Sequence, residues 1–500
     1  MDLKGAAARL LMVEARCSHE DIDDTRRRVL RLVRDPGVGG IIIFGGDRDG
    51  VARFIADARA AADHTLLIAS DLERGLGWKV NGGAVLPSPM AFGASGNPGF
   101  AREAGRLTAR EARDVGIDLI LAPVADLSIR SDNPIVGNRS YGDDPATVAR
   151  FVEAFVRGCA DGGVAAAVKH FPGHGRTAAD SHVELPTVGA AESELRETDL
   201  APFRAAVRSG VDAVMTAHVA YPSLDATGVP AGFSERIVRD MLRGELGFDG
   251  LVVTDALVMG GAASGGDGAR RAFLAGSDIL LMPEDVEAAV SAVTRECGEP
   301  SRFSQLERSI ERVEHLTSLN SMAEGMCPED NLADRVAEAA VASVGGELAP
   351  DLIRRAATVV VVVAGERSRL PECSVLAGEL RGGARVHDVV RLDEETDAAG
   401  VVRRVGEAEV AVVVVHDEPA AWRGSALPAT AVLDGVRDVL AAAPRSVLVL
   451  CCAPFVLRAL DFAGPVICAW DTAPASERSA AGVLLGRAAP GMPPVALSGA

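Results

Sequence analysis

Short apolar runs alternate with longer amphipathic stretches through the first three hundred or so residues of the chain. The apolar runs fall at 10–13, 39–44, 66–70, 117–122, 164–168, 213–217, 251–254 and 278–282, each of a length suited to a buried strand. Between them, 21–34, 51–62, 101–115, 145–158, 192–209 and 234–246 carry apolar residues at helical spacing. Strand, helix, strand at this rhythm predicts parallel strands joined by crossovers. Eight such units in about 280 residues suit a (β/α)8 TIM-like barrel, with a doubly wound open sheet as the competing architecture. The polar residues that follow the strands separate the two. Asp71 follows the third run, Asp126 lies beyond the fourth, Lys169 and His170 follow the fifth, His218 the sixth and Asp255 the seventh. In a closed barrel these positions converge on one mouth; in an open sheet they spread along an edge. The barrel is the expected fold.

After residue 283 the pattern changes. An amphipathic stretch at 304–319 reads as a closing helix, and 320–331, with a Ser, a Gly and the run Cys-Pro-Glu-Asp, reads as a linker. A shorter helix at 332–344 precedes new apolar strands at 358–363, 411–415, 446–450 and 465–469. Helical stretches separate these strands, so a smaller α/β/α sandwich is expected. The predicted class is α/β: a barrel over 1–319, a linker with a short helix over 320–350, and the sandwich over 351–500.

Composition narrows the function classes. A hydrophobic content of 48% supports well-buried cores, and five hundred residues suit two domains. The net charge of −19 argues against nucleic acid or an anionic membrane as the main partner. Eight cysteines lie without CxxC spacing, two of them adjacent at Cys451 and Cys452. That usage predicts a reduced, cytoplasmic protein. The apolar patch at 10–13 is too short for a signal peptide, and no run is long enough to span a bilayer.

The densest chemistry lies in Lys169-His170-Phe171-Pro172-Gly173-His174-Gly175, followed by Asp180-Ser181-His182. Glycines at 173 and 175 allow a tight turn and a close backbone approach. Asp180 and His182 are two apart, so in an extended segment both side chains point the same way. That spacing lets a carboxylate hold an imidazole, as a proton-transferring histidine requires. The plainer alternative is a loop whose histidines satisfy local hydrogen bonds. Three histidines and an aspartate also raise the question of metal. No HExxH spacing occurs, however, and Lys169 would repel a cation, so no metal or cofactor is expected. The stretch 173–177 lacks the Walker pattern of a nucleotide cradle.

These segments resemble glycoside hydrolase family 3, and more narrowly its two-domain β-N-acetylglucosaminidase branch, which uses an Asp–His pair. The likeness extends through Asp71-Leu72-Glu73-Arg74-Gly75, Ala122-Pro123-Val124-Ala125-Asp126 and Gly137-Asn138-Arg139-Ser140-Tyr141-Gly142. It continues through Met215-Thr216-Ala217-His218, Val253-Thr254-Asp255 and Leu484-Leu485-Gly486-Arg487. The resemblance implies a retaining exo-β-N-acetylglucosaminidase acting through a glycosyl-enzyme intermediate on Asp255. His182 is then the general acid/base and Asp180 orients its ring, meeting the need for a nucleophile and a proton donor. Asp71, Arg139, Lys169 and His170 are implied to grip sugar hydroxyls, and Met259 to fill the space beside the sugar. His174 is divided between binding and structure, His218 serves either role, and Asp126 and Arg130 are expected to support the site. The implied partner is a β-linked N-acetylglucosaminide: a muropeptide, a chitooligosaccharide or a glycoconjugate.

Other readings remain open: a β-N-acetylglucosaminide phosphorylase, a β-glucosidase or β-xylosidase, or an inactive sugar-binding scaffold. A neutral histidine would not repel phosphate as a carboxylate does, which keeps the phosphorylase in view. The loop Asp71-Leu72-Glu73-Arg74-Gly75-Leu76-Gly77-Trp78 replaces the two adjacent glycines typical of the family's simplest members, so the contacts of Glu73 and Arg74 are left undetermined. The second domain is expected to serve packing, substrate-length selection or assembly, with Glu366, His416, Asp417 and Asp471 unranked.

Overall fold

The computed structural model describes residues 2–18, 22–262, 265–319, 331–349, 351–371, 374–418 and 423–497. The expected linker at 320–331 lies outside this set except for its last residue. The chain divides into two compact units. The first comprises Met1–Val85, Ala101–Arg130 and Pro145–Pro328, and the second Leu86–Phe100, Ser131–Asp144 and Glu329–Ala500.

The first unit holds eight parallel strands: β1 (Leu11–Arg16), β2 (Gly40–Phe44), β3 (Leu67–Ser70), β4 (Leu119–Ile120), β5 (Ala165–Phe171), β6 (Ala213–Thr216), β7 (Leu251–Thr254) and β8 (Leu280–Leu281). Sequential strands are neighbours from β1 to β7, and β8 pairs with β1. The remaining seam closes where Thr254 N–H donates to Ile279 O (3.0 Å) and Asp278 N–H to Val252 O (2.8 Å). The sheet is therefore a barrel rather than an open layer.

Alternation along each strand fills its interior. Leu67 with Ala69, Leu119 with Leu121, Ala165 with Ala167, Ala213 with Met215 and Leu251 with Val253 enter one buried cluster as i, i+2 pairs. Met12, Ile42 and Leu281 complete it from the other strands, and Val313 and Leu316 of the helix Pro300–Leu319 close it. Alanines beside leucines and methionines let the layers interlock at crystal-like density. At the N-terminal ends, aspartates pin the register. Asp118 accepts from Ile68 N–H (2.9 Å), Asp212 from Ala166 N–H (3.1 Å) and Asp278 from Val252 N–H (2.8 Å).

Several boundaries shift from the predicted ones. The run expected at 164–168 continues to Phe171, so Lys169 and His170 lie on β5 itself rather than in the loop after it. The cause is pairing on both sides. Lys169 N–H donates to Pro123 O (3.1 Å) and Ala125 N–H to Lys169 O (2.6 Å), while Phe171 pairs with Thr216. The helix expected at 192–209 is two helices, Glu192–Glu197 and Leu200–Arg208.

The second unit contains a six-stranded sheet built from β9 (Ala342–Gly345), β10 (Val359–Ala364), β11 (Val386–Leu392), β12 (Val410–His416), β13 (Ser446–Cys451) and β14 (Pro465–Cys468). The order is β11-β10-β12-β13-β14-β9, parallel except for β9. Val360 and Val362 enter one buried cluster while Val359, Val361 and Val363 enter another, so β10 is covered on both faces. The helix expected at 332–344 ends at Ala340, where the Trp470 indole N–H caps Ala340 O at 2.7 Å. The chain then enters β9, which pairs antiparallel with β14. The sequence reading omits both β9 and β11. β11 is an edge strand with mixed burial, and His387, Asp388 and Arg391 hide its strand pattern.

Two stretches expected in the barrel pack with the second unit. Ser88 N–H donates to the Asp471 carboxylate (2.6 Å), and Met90, Ala91 and Ala94 join the apolar cluster under the sheet. Asn138 donates to Trp470 O (2.9 Å), and Ala496 N–H to the Asp143 carboxylate (2.8 Å). Asp417 and Glu366 both pair with Arg423, at 2.6 and 3.3 Å. No described helix is long and apolar enough to cross a membrane.

Candidate active site

The C-terminal ends of β3, β5, β6 and β7 and the segment after β4 bring the polar residues together. Lys169 is buried, and its Nζ lies 2.7 Å from Asp71 Oδ1 and 2.7 Å from Glu73 Oε1. Asp71 and Glu73 are two apart after β3, so an extended backbone turns both carboxylates towards the same ammonium group. The sequence reading left Glu73 without a partner. The i, i+2 argument applied to Asp180 and His182 would have set Glu73 beside Asp71, though not opposite Lys169. Arg74 is buried, with its guanidinium 4.2 Å from the centroid of the Trp78 ring.

His170, the next residue on β5, turns to a different carboxylate. Its Nδ1 lies 2.6 Å from Asp126 Oδ2. The other Asp126 oxygen accepts from the backbone N–H of His174 (2.6 Å) and of His170 (3.3 Å). Burial pushes the Asp126 pKa up, but the His170 and His174 rings and the His174 N–H bring it below the ordinary carboxylate range. An ionised Asp126 thus sets the His170 ring and the start of the loop at once.

His174 is fully engaged. Its Nε2 bonds Ser181 Oγ (3.0 Å) and its Nδ1 bonds Thr177 Oγ1 (2.9 Å), which ties the loop after β5 to the segment carrying His182. Burial first, then the nearby His170 ring, lowers its pKa from 6.5 to about 4, against the opposing pull of Asp126 and Asp255. The ring is therefore neutral in the folded state at pH 5, whereas in the unfolded chain it is protonated below its ordinary value. Stability is complete above pH 6.5 and falls as pH drops towards 4, by about 3 kcal/mol from this residue. Urea unfolding of His174→Gln at pH 7, 5.5 and 4.5 is expected to lose that part of the slope. An unchanged slope would count against the assignment.

His182 is held by Asp180. The ring Nδ1 is 2.8 Å from Asp180 Oδ1, and the same oxygen accepts the His182 backbone N–H (2.9 Å). Asp180 is buried while His182 remains partly exposed, so the buried carboxylate fixes the orientation of a ring that still meets solvent.

Asp255 follows β7, half-buried, with its own N–H donating to Thr216 O (3.0 Å) and its Oδ1 accepting from Ala256 N–H (2.8 Å). Burial pushes its pKa up. The His170 and His218 rings, the Ala256 N–H and the His182 ring outweigh it, so the carboxylate stays below its ordinary range. His218 is buried after β6, and its Nε2 donates to the backbone O of Asp255 (3.2 Å), which fixes the main chain of that residue. Burial lowers the pKa of His218, against the opposing pull of Asp255.

The loops after β5 and β7 are stitched directly. Gly260 N–H donates to His182 O (2.9 Å), and Gly261 N–H to Ser181 O (3.1 Å). A Cβ at Gly260 would stand 2.3 Å from Val183 O, so glycine is what permits this approach. Met259, buried in the same turn, bonds back to Ala256 O (3.1 Å). Arg139 lies in the second unit, in the turn Gly137–Arg139, where its Nη1 donates to Ile135 O (3.0 Å).

Known proteins share this arrangement of elements. The model of the glycosyl hydrolase family 3 N-terminal domain matches residues 2–316. A β-hexosaminidase from Pseudomonas aeruginosa is 40% identical over 287 residues, covering 55% of this chain and 85% of its own length. A β-hexosaminidase from Neisseria meningitidis is 39% identical over 274 residues, covering 52% and 74%. The solved structure of a family 3 β-N-acetylglucosaminidase from Paenibacillus sp. str. FPU-7 superposes with a TM-score of 0.87 at 32% identity, over 100% of this chain and 99% of that one. With the barrel matched almost end to end, the chain belongs to glycoside hydrolase family 3.

Proposed function

We propose that the chain removes terminal β-linked N-acetylglucosamine by hydrolysis with retention of configuration. Asp255 attacks the anomeric carbon and carries the glycosyl-enzyme intermediate. His182 protonates the departing oxygen, then takes a proton from the incoming water while Asp180 steadies the imidazolium. The observation that carries this reading is the double backbone link between the loops of Asp255 and His182, through Gly260 and Gly261. It sets an ionised carboxylate and a carboxylate-held imidazole at one barrel mouth. Three rings around Asp255 keep it anionic, as a nucleophile must be. Asp71, Lys169 and His170 hold sugar hydroxyls as a pre-paired set, and Met259 packs against the ring. His174, bonded at both nitrogens, holds the loop.

The similarity to a β-hexosaminidase and to a β-N-acetylglucosaminidase supports an N-acetylhexosaminide as the substrate. A panel of aryl β-glycosides tests this choice. The N-acetylglucosaminide is expected to exceed the glucoside, galactoside and xyloside in kcat/KM by roughly 100-fold or more, since a site built for an extra hydrogen-bonding group rejects analogues that lack it. A glucoside or xyloside turned over best would overturn the reading.

A further inference from the structure

The two stitched loops turn aliphatic side chains outward beside the proton donor. Val183 directly follows His182 and is 59% exposed, Leu185 is 38% exposed, and Val258, three residues after Asp255, is 41% exposed. Of their neighbours, Asp180, Ser181, Leu257 and Met259 are buried, while Glu184, between Val183 and Leu185, is exposed with them. The bonds from Gly260 to His182 and from Gly261 to Ser181 hold the loops edge to edge. The Gly260 backbone meets Val183 so closely that a Cβ would stand 2.6 Å from its carbonyl carbon.

Single exposed aliphatic residues need no explanation, whereas several on two joined loops at a reaction centre mark a contact surface. A general acid stands beside the leaving oxygen, so whatever flanks His182 on the outer side flanks the aglycone. Given the reading of His182 as proton donor, on which this rests, we infer that Val183, Leu185 and Val258 form an apolar aglycone subsite. It selects N-acetylglucosaminides whose leaving group presents an alkyl or aryl face. A second sugar, offering mainly hydroxyls, gains little from aliphatic side chains and loses water contacts against them.

The test is a series of n-alkyl N-acetyl-β-glucosaminides from methyl to hexyl. Their leaving alkanols have nearly the same acidity, so chain length changes contact and not chemistry. The wild-type kcat/KM is expected to rise about twofold per methylene, half the effect of full burial because the rim covers one side. In the double variant Val183→Ser, Val258→Ser the hexyl-to-methyl ratio is expected to collapse towards one. That ratio cancels any loss common to both substrates. A flat wild-type series with clear methyl glycoside turnover overturns the subsite and leaves the proposed hydrolysis standing. A slope that persists in the double variant overturns it as well. No turnover of any N-acetylglucosaminide overturns both.

Discussion

Asp255→Asn is expected to lower the turnover of an aryl N-acetyl-β-glucosaminide by about four orders of magnitude or more, as removal of a covalent nucleophile does. The substitution is nearly isosteric. The amide oxygen still accepts the Ala256 N–H, and the backbone bonds to Thr216 and His218 do not involve the side chain. The change removes the negative charge that three imidazoles stabilise and that the anomeric carbon requires. Thermal unfolding is therefore expected within a few degrees of wild type, separating lost chemistry from lost fold. A variant keeping a tenth of its turnover on a freshly purified sample would remove Asp255 from the mechanism.

Lys169→Met is expected to damage both stability and turnover. The buried ammonium neutralises Asp71 and Glu73, each 2.7 Å away. Taking it out leaves two carboxylates facing each other across an apolar thioether. Removing one partner of a buried ionic cluster costs about 3–5 kcal/mol, and the lowering of Tm is expected at roughly 5 °C. Asp71 is the more exposed of the two carboxylates, so water relieves part of the penalty and places the effect towards the lower end. Turnover is expected to fall by about 100-fold, because the β3 loop loses the contact that sets its geometry against β5. Full wild-type Tm together with full activity would show that the cluster neither supports the fold nor shapes the site.

Both variants probe contacts that the sequence made legible to different degrees. The strand that delivers Asp255 is visible as an apolar run ending in an acid, and the Asp180–His182 pair is visible as i, i+2 spacing. Each signal lies within a few residues of chain, where periodicity and side-chain direction are decided locally. The resemblance to a family supplied the roles. It did not supply the Glu73–Lys169 pair, the clamp of His174 between Ser181 and Thr177, or the hold of His218 on the Asp255 backbone.

Some elements were hidden for a related reason. β11 reads as polar because an edge strand exposes part of its surface, and β9 reads as the tail of a helix because alanine and valine suit both states. For β9 the choice fell to a partner more than a hundred residues away, β14, and to the Trp470 indole that stops the preceding helix. Lys169 and His170 likewise read as loop from their polarity, but strand pairing on both sides held them in β5.

By itself, then, the sequence determined the succession of strands and helices, the two-part division into barrel and sandwich classes of pattern, and the chemical types gathered at the strand ends. Only the tertiary structure decided which carboxylate meets which cation or ring. Barrel closure sets residues 98 apart, such as Asp71 and Lys169, within 2.7 Å of each other. Likewise, β5 gives two successive side chains different partners, Lys169 with Asp71 and His170 with Asp126. Hydrophobic period is a property of neighbours along the chain, whereas ion pairing depends on distances that exist only once the sheet has closed.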